Sequence, residues 1–405
     1  MTQAPRDPMP RPESGAGSRG WRALPSGIWV MGFVSLLMDA SSEMIFSLFP
    51  VFMVSVLGAS MMTVGLIEGI AEGTAAILKV FSGTLSDYLG RRKMLMVLGY
   101  GLSAISKPLF PLASSIYLVF TARFVDRLGK GIREAPRDAL IADMTGPGLR
   151  GSAYGLRQAL DSVGALLGPL LAVAFMMLYE DRIRSVMWLA VVPAVLSVML
   201  LAYVRESRRA SSPNGAMLSI MDVRRLPLRY WMVVLLGAAF TLARFSEAFL
   251  VLRAQSVGLG IAYIPLVMVA MNVCYSMAAY PAGAAADRLS PRVLLLGGLA
   301  LLIAADILLA LVPSLLFAGA ALWGLHMALT KGLLSKLVAD TVPADLRGTG
   351  FGIFDLVSGV VLLLASVIAG FLWSRFGAPF TFLAGAGFAA VAASGLLFFP
   401  VLEKN

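Results

Sequence analysis

Runs of about 20 predominantly apolar residues recur along nearly the whole of this 405-residue chain, and that length is what an α-helix needs to cross the hydrocarbon core of a bilayer. Hydrocarbon offers no partner for a backbone N–H or C=O, so each run is constrained to be a helix. The runs fall near 27–56, 61–82, 93–112, 115–142, 150–178, 184–204, 230–255, 261–284, 293–313, 315–341, 348–373 and 378–400. Hydrophobic residues make up 59% of the chain and charged residues 14%, against about 25% charged in a soluble domain. The pattern predicts an all-α polytopic membrane protein of about twelve spans and excludes a water-soluble fold.

A net charge of +10 would suit a nucleic-acid binder, but its distribution points to orientation in a membrane. Arginine and lysine cluster in the N-terminal stretch (Arg6, Arg11, Arg19, Arg22), after the second span (Arg91, Arg92, Lys93) and in the central polar segment (Arg205, Arg208, Arg209, Arg224, Arg225, Arg229). Odd-numbered loops such as Gly58–Ser60 are short and mostly uncharged; Arg182 and Arg184 are offset by Glu180 and Asp181. The positive-inside rule then puts both termini in the cytoplasm, with the protein in the inner membrane. The expected organisation is a disordered tail at 1–23, a six-helix bundle at 24–204, a linker at 205–229, a second bundle at 230–400 and a tail at 401–405. No removable signal peptide is expected ahead of the first span. Cys274 is the single cysteine, so no intramolecular disulfide is expected.

The fourth span breaks the apolar pattern. Arg123, Asp126, Arg127, Lys130, Arg133, Glu134, Arg137 and Asp138, set on a helix at roughly 100° per residue, fall within one arc of about 140°. Each charge would cost on the order of 3 kcal/mol at the bilayer centre. The stripe must therefore face protein or a water-filled cavity, and it marks a transport pathway. Charges elsewhere in the first half balance it: Asp39, Glu43, Glu68, Glu72 and Asp161 stand against Lys79, Lys107 and Arg157. A balanced network needs no charged ligand, yet it is an expensive source of stability. That cost favours a functional role, with carboxylates gaining and losing protons among fixed cations. Asp39 and Glu43 lie one helical turn apart, as do Glu68 and Glu72, and paired carboxylates of this kind suit proton coupling.

The chain also repeats itself. Leu140-Ile141-Ala142-Asp143 with Leu149-Arg150-Gly151 returns as Leu337-Val338-Ala339-Asp340 with Leu346-Arg347-Gly348; Gly83 and Asp87 return as Gly283 and Asp287; Ser42-Glu43 returns as Ser246-Glu247. Repeated halves in one membrane chain imply a pseudo-symmetric transporter with its pathway between them.

On these residues, and above all on Gly83-Thr84-Leu85-Ser86-Asp87-Tyr88-Leu89-Gly90-Arg91-Arg92-Lys93, the chain resembles the major facilitator superfamily over nearly its whole length. The resemblance implies about twelve helices in two bundles and alternating access. It makes Gly83, Asp87 and Arg91, with an acid from Asp138 or Asp143, a conformational latch, and leaves Arg92 and Lys93 as orientation anchors. Arg127-Leu128-Gly129-Lys130-Gly131 resembles the family's second motif, which ties Arg127 to proton transfer. Arg157, Asp161, Gly164 and Gly168-Pro169 partly resemble its antiporter motif and lean the reading toward efflux.

The expected activity is therefore proton-coupled secondary transport of a small organic solute, with uptake of an anionic solute or metal chelate as the alternative. A non-transporting receptor or scaffold is the alternative of another class. Proton-coupling candidates are Asp39, Glu43, Asp126, Arg127, Glu134 and Asp161. Cavity candidates are Arg123, Lys130, Arg157, Glu247 and Lys331. His326, the single histidine, and the Met268, Met271, Cys274, Met277 series read as core residues. No nucleophile–base constellation points to an enzyme, and no Gly-Lys-Ser/Thr phosphate loop points to ATP-driven pumping. The expected unit is a monomer in a lipid bilayer that exchanges protons and substrate, with no cofactor, metal or nucleic acid.

Overall fold

A computed structural model describes residues 24–146, 149–204, 223–343 and 346–397, with all their side chains except those of Asp87 and Asp287. The terminal tails at 1–23 and 401–405, and 205–222 of the linker, lie outside the described residues. The described chain is helical, with no strand among those residues. Its twelve spans are α1 (Ser26–Val56), α2 (Met61–Leu89), α3 (Arg92–Leu112), α4 (Ile116–Met144), α5 (Arg150–Leu178), α6 (Ile183–Leu201), α7 (Leu228–Ser256), α8 (Leu266–Arg288), α9 (Pro291–Leu311), α10 (Leu316–Thr341), α11 (Arg347–Phe376) and α12 (Ala378–Leu397). Eleven are long and apolar enough to cross a membrane by composition alone; α4, with its nine charges, is the one that is not.

The sequence dictates where these helices start and stop. Ser60, Ser115 and Ser290 cap α2, α4 and α9 by accepting the amide of the third residue on, at 3.1, 3.3 and 3.4 Å, which satisfies an otherwise orphaned donor. Gly90 ends α2 at φ 60°, in the left-handed region that glycine enters without strain. Gly58 and Gly258 turn the chain after α1 and α7 at φ 69° and 85°, so the internal repeat reaches into the turns.

Two groups of helices form. α1 packs on α5 and α6, and α4 packs on α2 and α3; in the second half α10 packs on α8 and α9, and α12 packs on α9 and α7. The groups meet along α2–α11 and α5–α8. Along α2–α11 the backbones touch through glycine. A Cβ at Gly69 would stand 2.9 Å from Leu363 Cα, and one at Gly359 would stand 3.4 Å from Gly73 Cα. Small residues at such a seam let two membrane helices approach closely.

The repeated first and seventh spans diverge at their shared Ser-Glu. α1 stays helical through Ser42-Glu43 and beyond, to Phe46. α7 unwinds at Arg244–Ser246 and restarts at Ala248. Two features hold the break open. Phe245 drives its buried ring into Trp323, Phe249 and Phe382, with centroids 5.3 to 5.5 Å away. Ser246 donates its freed amide to Ser366 Oγ at 3.2 Å and caps the restart by accepting the Ala248 amide at 3.2 Å.

Candidate functional site

The charged stripe of α4 faces protein, as its cost in lipid requires. Asp126 is its hub. Lys107 Nζ donates to Asp126 Oδ1 at 2.9 Å, and Arg127 donates to Oδ2 through Nε at 3.0 Å and Nη2 at 2.6 Å. Arg127 also reaches Glu72 at 3.1 Å through Nη1, while Arg123 Nη2 bridges Glu68 at 2.9 Å and Glu72 at 3.2 Å. Lys107 holds Ser42 at 2.9 Å as well. Except for the partly open Glu72, these six ions are almost fully buried. Three cations thus face three carboxylates, and the set closes on itself. The Arg123 guanidinium lies over Phe46 and Phe49, 4.4 and 5.6 Å from the ring centroids.

A cavity of about 250 Å³ sits on this network, between the two halves. Its lining brings Glu43, Phe46 and Glu72 together with Arg123, Arg127 and Lys130 from the first half, and Arg244–Glu247, Lys331 and Leu362 from the second. An adjoining cavity of about 230 Å³ shares Glu72, Lys130, Arg244 and Leu362 and adds Lys79, Glu134 and Asp355, toward the end where Gly90 lies. At the other end the halves are sealed. Phe49, Phe52, Phe249 and Leu250 are buried, Gln255 donates to Ser55 at 2.5 Å, and the Met62 amide donates to Ser374 at 3.2 Å.

Four charged residues in the cavity lining make no ion pair within 4.0 Å among the described residues: Glu43, Arg244, Glu247 and Lys331. Lys331 lies over the Tyr275 ring at 5.5 Å and is otherwise exposed to the cavity. Lys130 stands 4.0 Å from Glu134, and Lys79 bridges Glu134 at 4.0 Å and Asp355 at 3.4 Å.

The remaining sequence candidates sort away from the cavity. Asp39 sits one turn before Glu43 but against α5, where a Cβ on Gly164 would lie 3.1 Å from its own. Arg157 pairs with Asp161, one turn along the same helix, and with Asp138 at 3.6 Å; Arg137 joins Asp138 at 3.2 Å. Neither Arg157 nor Asp161 lines the two cavities.

The signature loop is built differently from its motif reading. Arg92, expected as an anchor, pairs with Asp143 and donates to Ala139 O at 2.7 Å; Arg91 has no ion pair among the described residues. The side chain of Asp87 lies outside what is described. Gly83 makes no close approach, since a Cβ there would meet Ala135 at an ordinary 3.4 Å. Lys93 instead binds the carbonyls of Ala202 and Val204 beyond α6, at 3.0 and 2.6 Å, and Arg292 does the same for Leu396 and Leu397 in α12, at 3.2 and 2.5 Å. Cations at helix C-termini answer the orphaned carbonyls there.

Two residues escaped the sequence reading. Arg244 was visible only as one charge in a sparse half. Asp306, fully buried in α9, has no hydrogen-bond partner for either oxygen. A Cβ on Gly385 would stand 2.6 Å from its Oδ2 and 3.1 Å from the Phe245 ring, so Asp306 lies directly behind the α7 break. Its signal was a lone acid within an otherwise apolar span.

A family model described as Major Facilitator Superfamily matches residues 31–252 and 244–405. The chain is 33% identical over 393 residues to an uncharacterized MFS-type transporter of Methanocaldococcus jannaschii, covering 93% of this chain and 96% of that one. It is 28% identical over 203 residues to the multidrug resistance protein MdtH of Yersinia pestis, covering 49% of this chain and 50% of that protein. Among solved structures, a mutant of the nucleoside transporter NupG superposes with a TM-score of 0.79 at 11% identity, covering 93% of this chain and 100% of that chain. The peptide transporter POT in complex with sulfate gives 0.76 at 14% identity, covering 94% and 95%. At such identities these two likenesses speak for the fold alone.

Proposed function

The chain belongs to the major facilitator superfamily, so it is a membrane transporter and not an enzyme, and from that premise we propose that it exports a small organic solute in exchange for protons. One observation carries the reading: Glu43 faces the cavity between the halves with no cation within ion-pair distance among the described residues, whereas Glu68, Glu72 and Asp126 of the neighbouring network are salt-bridged. A carboxylate free to change its proton as the cavity changes sides is what proton coupling requires. Arg127 and Asp126 form the fixed scaffold beneath it, and Glu134 guards the entrance with Lys79 and Lys130.

The cavity runs on toward the end of the molecule that carries the Arg91–Lys93 cluster. By the positive-inside rule that end is cytoplasmic, the state is inward-facing, and both termini lie in the cytoplasm of an inner-membrane protein. Export is supported by the tight α1–α5 packing at Gly164 and Gly168, the antiporter-like stretch. A Cβ at these positions would reach Leu36 O and Ala40 O at 2.6 and 2.7 Å. The partial likeness to MdtH points the same way.

The test uses everted vesicles in which respiration acidifies the lumen. Metabolite extract fractions are added, and solute accumulation and dissipation of the pH gradient are read together. Accumulation that consumes the gradient, and that Glu43→Gln abolishes while the variant still reaches the membrane at the wild-type level, supports the proposal. Gradient-driven accumulation by Glu43→Gln at the wild-type level sinks it.

A further inference from the structure

The cavity presents a charge pattern that chooses among substrate classes. Its lining holds eight charged side chains. Glu72, Arg123 and Arg127 answer one another, and Lys130 leans on Glu134. The four without an ion pair are two carboxylates, Glu43 and Glu247, and two cations, Arg244 and Lys331. Three of these four belong to the second half, where the unwound Arg244–Glu247 stretch carries adjacent-in-space charges of both signs into the cavity.

We propose that these four residues form the binding site of a small amphoteric solute, one that carries a carboxylate-like anion and an ammonium-like cation on the same molecule. Arg244 and Lys331 take the anion. A guanidinium offers a planar, two-pronged match to a carboxylate, and the ammonium adds a point charge. Glu247 and Glu43 take the cation. Phe46, Phe245 and Leu362 supply the apolar wall for whatever joins the two groups.

Charge arithmetic excludes the simpler classes. A monoanion would leave both carboxylates facing it without a partner, a monocation would leave both cations, and an uncharged solute would leave all four. An unmatched charge in a desolvated site is costly, so each mismatch is also a means of rejection. The chamber that holds the four charges has a volume of about 250 Å³, which suits a small solute. An amino acid or dipeptide fits both constraints.

The proposal rests on the transporter reading above, in which Glu43 also carries the proton. Ammonium group and proton then exclude one another at that carboxylate, which is a direct route to exchange.

The experiment measures thermal stability of the purified full-length protein in detergent. The probes at millimolar concentration are glutamine and alanyl-glutamine (amphoteric), benzoate (anionic), tetraethylammonium (cationic) and xylose (neutral). An amphoteric probe is expected to raise the melting midpoint by about 3 °C or more near saturation, with the other three classes flat. Arg244→Gln and Glu247→Gln should each abolish the shift while leaving the ligand-free midpoint unchanged, since neither removes an ion pair. A shift from the cation, anion or neutral probe as large as the amphoteric one overturns the substrate class. So does survival of the shift in both variants, or no shift from either amphoteric probe. The two readings fail separately. Amphoteric binding without gradient-linked flux in vesicles would sink the proton-exchange reading alone; flux of a non-amphoteric solute would sink this one alone.

Discussion

Along α4 in the first half of the molecule the charges answer each other, and around the α7 break in the second half they wait. α4 carries nine charges, and all of the ions at its centre are held by α2, α3 or one another, down to the buried Lys107 beneath Asp126. α7 carries four, and two of them, Arg244 and Glu247, stand without an ion pair beside a break in the helix. The pseudo-equivalent Ser-Glu pairs make the contrast sharper. Ser42 is tied down by Lys107 within an intact helix, whereas Ser246 is spent on capping the restart of a broken one. On the function proposed above, charge density is a poor guide to where a ligand binds: the dense, closed network acts as scaffold, and the sparse charges without ion pairs are the ones a solute or a proton uses.

The largest effect should come from cutting the scaffold. Asp126→Asn leaves Lys107 and Arg127 buried without their carboxylate, and breaking a buried pair costs about 3–5 kcal/mol. Expression and melting midpoint should collapse; a stable, fully active Asp126→Asn would break the contrast between the halves. Arg244→Gln should do the reverse, abolishing substrate-induced stabilisation and transport with less than about 1 kcal/mol of lost stability, as read by scanning fluorimetry beside a flux assay. Next in size is the seam between the halves. Gly69→Ala would push a methyl group into the α11 backbone, an overpacking cost of about 1–3 kcal/mol. It acts only on the sealed conformation, so a cysteine at Ser55, in a Cys274→Ser background, should label faster from that end. The smallest effect should be Arg292→Ala, which frees the last carbonyls of α12 at about 0.3–1 kcal/mol. Lys93→Ala is its counterpart at α6, and unequal losses would show that the repeat is not energetically symmetric.

Hydropathy made the fold readable because a bilayer leaves a backbone no alternative to helix. The run at 61–82 and the helix Met61–Leu89 share their start, and they differ only where polar residues extend the helix beyond the apolar core. Periodicity likewise placed the α4 stripe on one face. It could not say which helix the face meets. Asp39 and Glu43 share a face by spacing, and both have their Cβ against α5, at Gly164 and Gly168, yet only Glu43 lines the cavity described above. The α7 break was invisible because 230–255 is an ordinary apolar run; what unwinds it is Phe245 seated against rings from α10 and α12, and a hydroxyl on α11, all remote in sequence. Which arginine of the signature loop meets an acid was hidden for a similar reason. Neighbouring arginines at the start of a helix diverge by a large angle, and only the fold decides that Arg92 rather than Arg91 reaches Asp143.

The glycine contact between α2 and α11 has a consequence for how the two halves move. Interlocked side chains act as gear teeth: to slide or tilt, they must first disengage. A glycine-faced contact has no teeth there. Gly73 and Gly359 meet backbone to backbone, so the two helices can roll over one another with little to unpick, as a plain bearing does. That suits a transporter whose halves rock past each other on every cycle. It also means that the seam supplies closeness without friction, and that the energy holding one end shut comes from elsewhere: from the buried Phe49, Phe52, Phe249 and Leu250, and from the Gln255–Ser55 and Met62–Ser374 bonds at its rim.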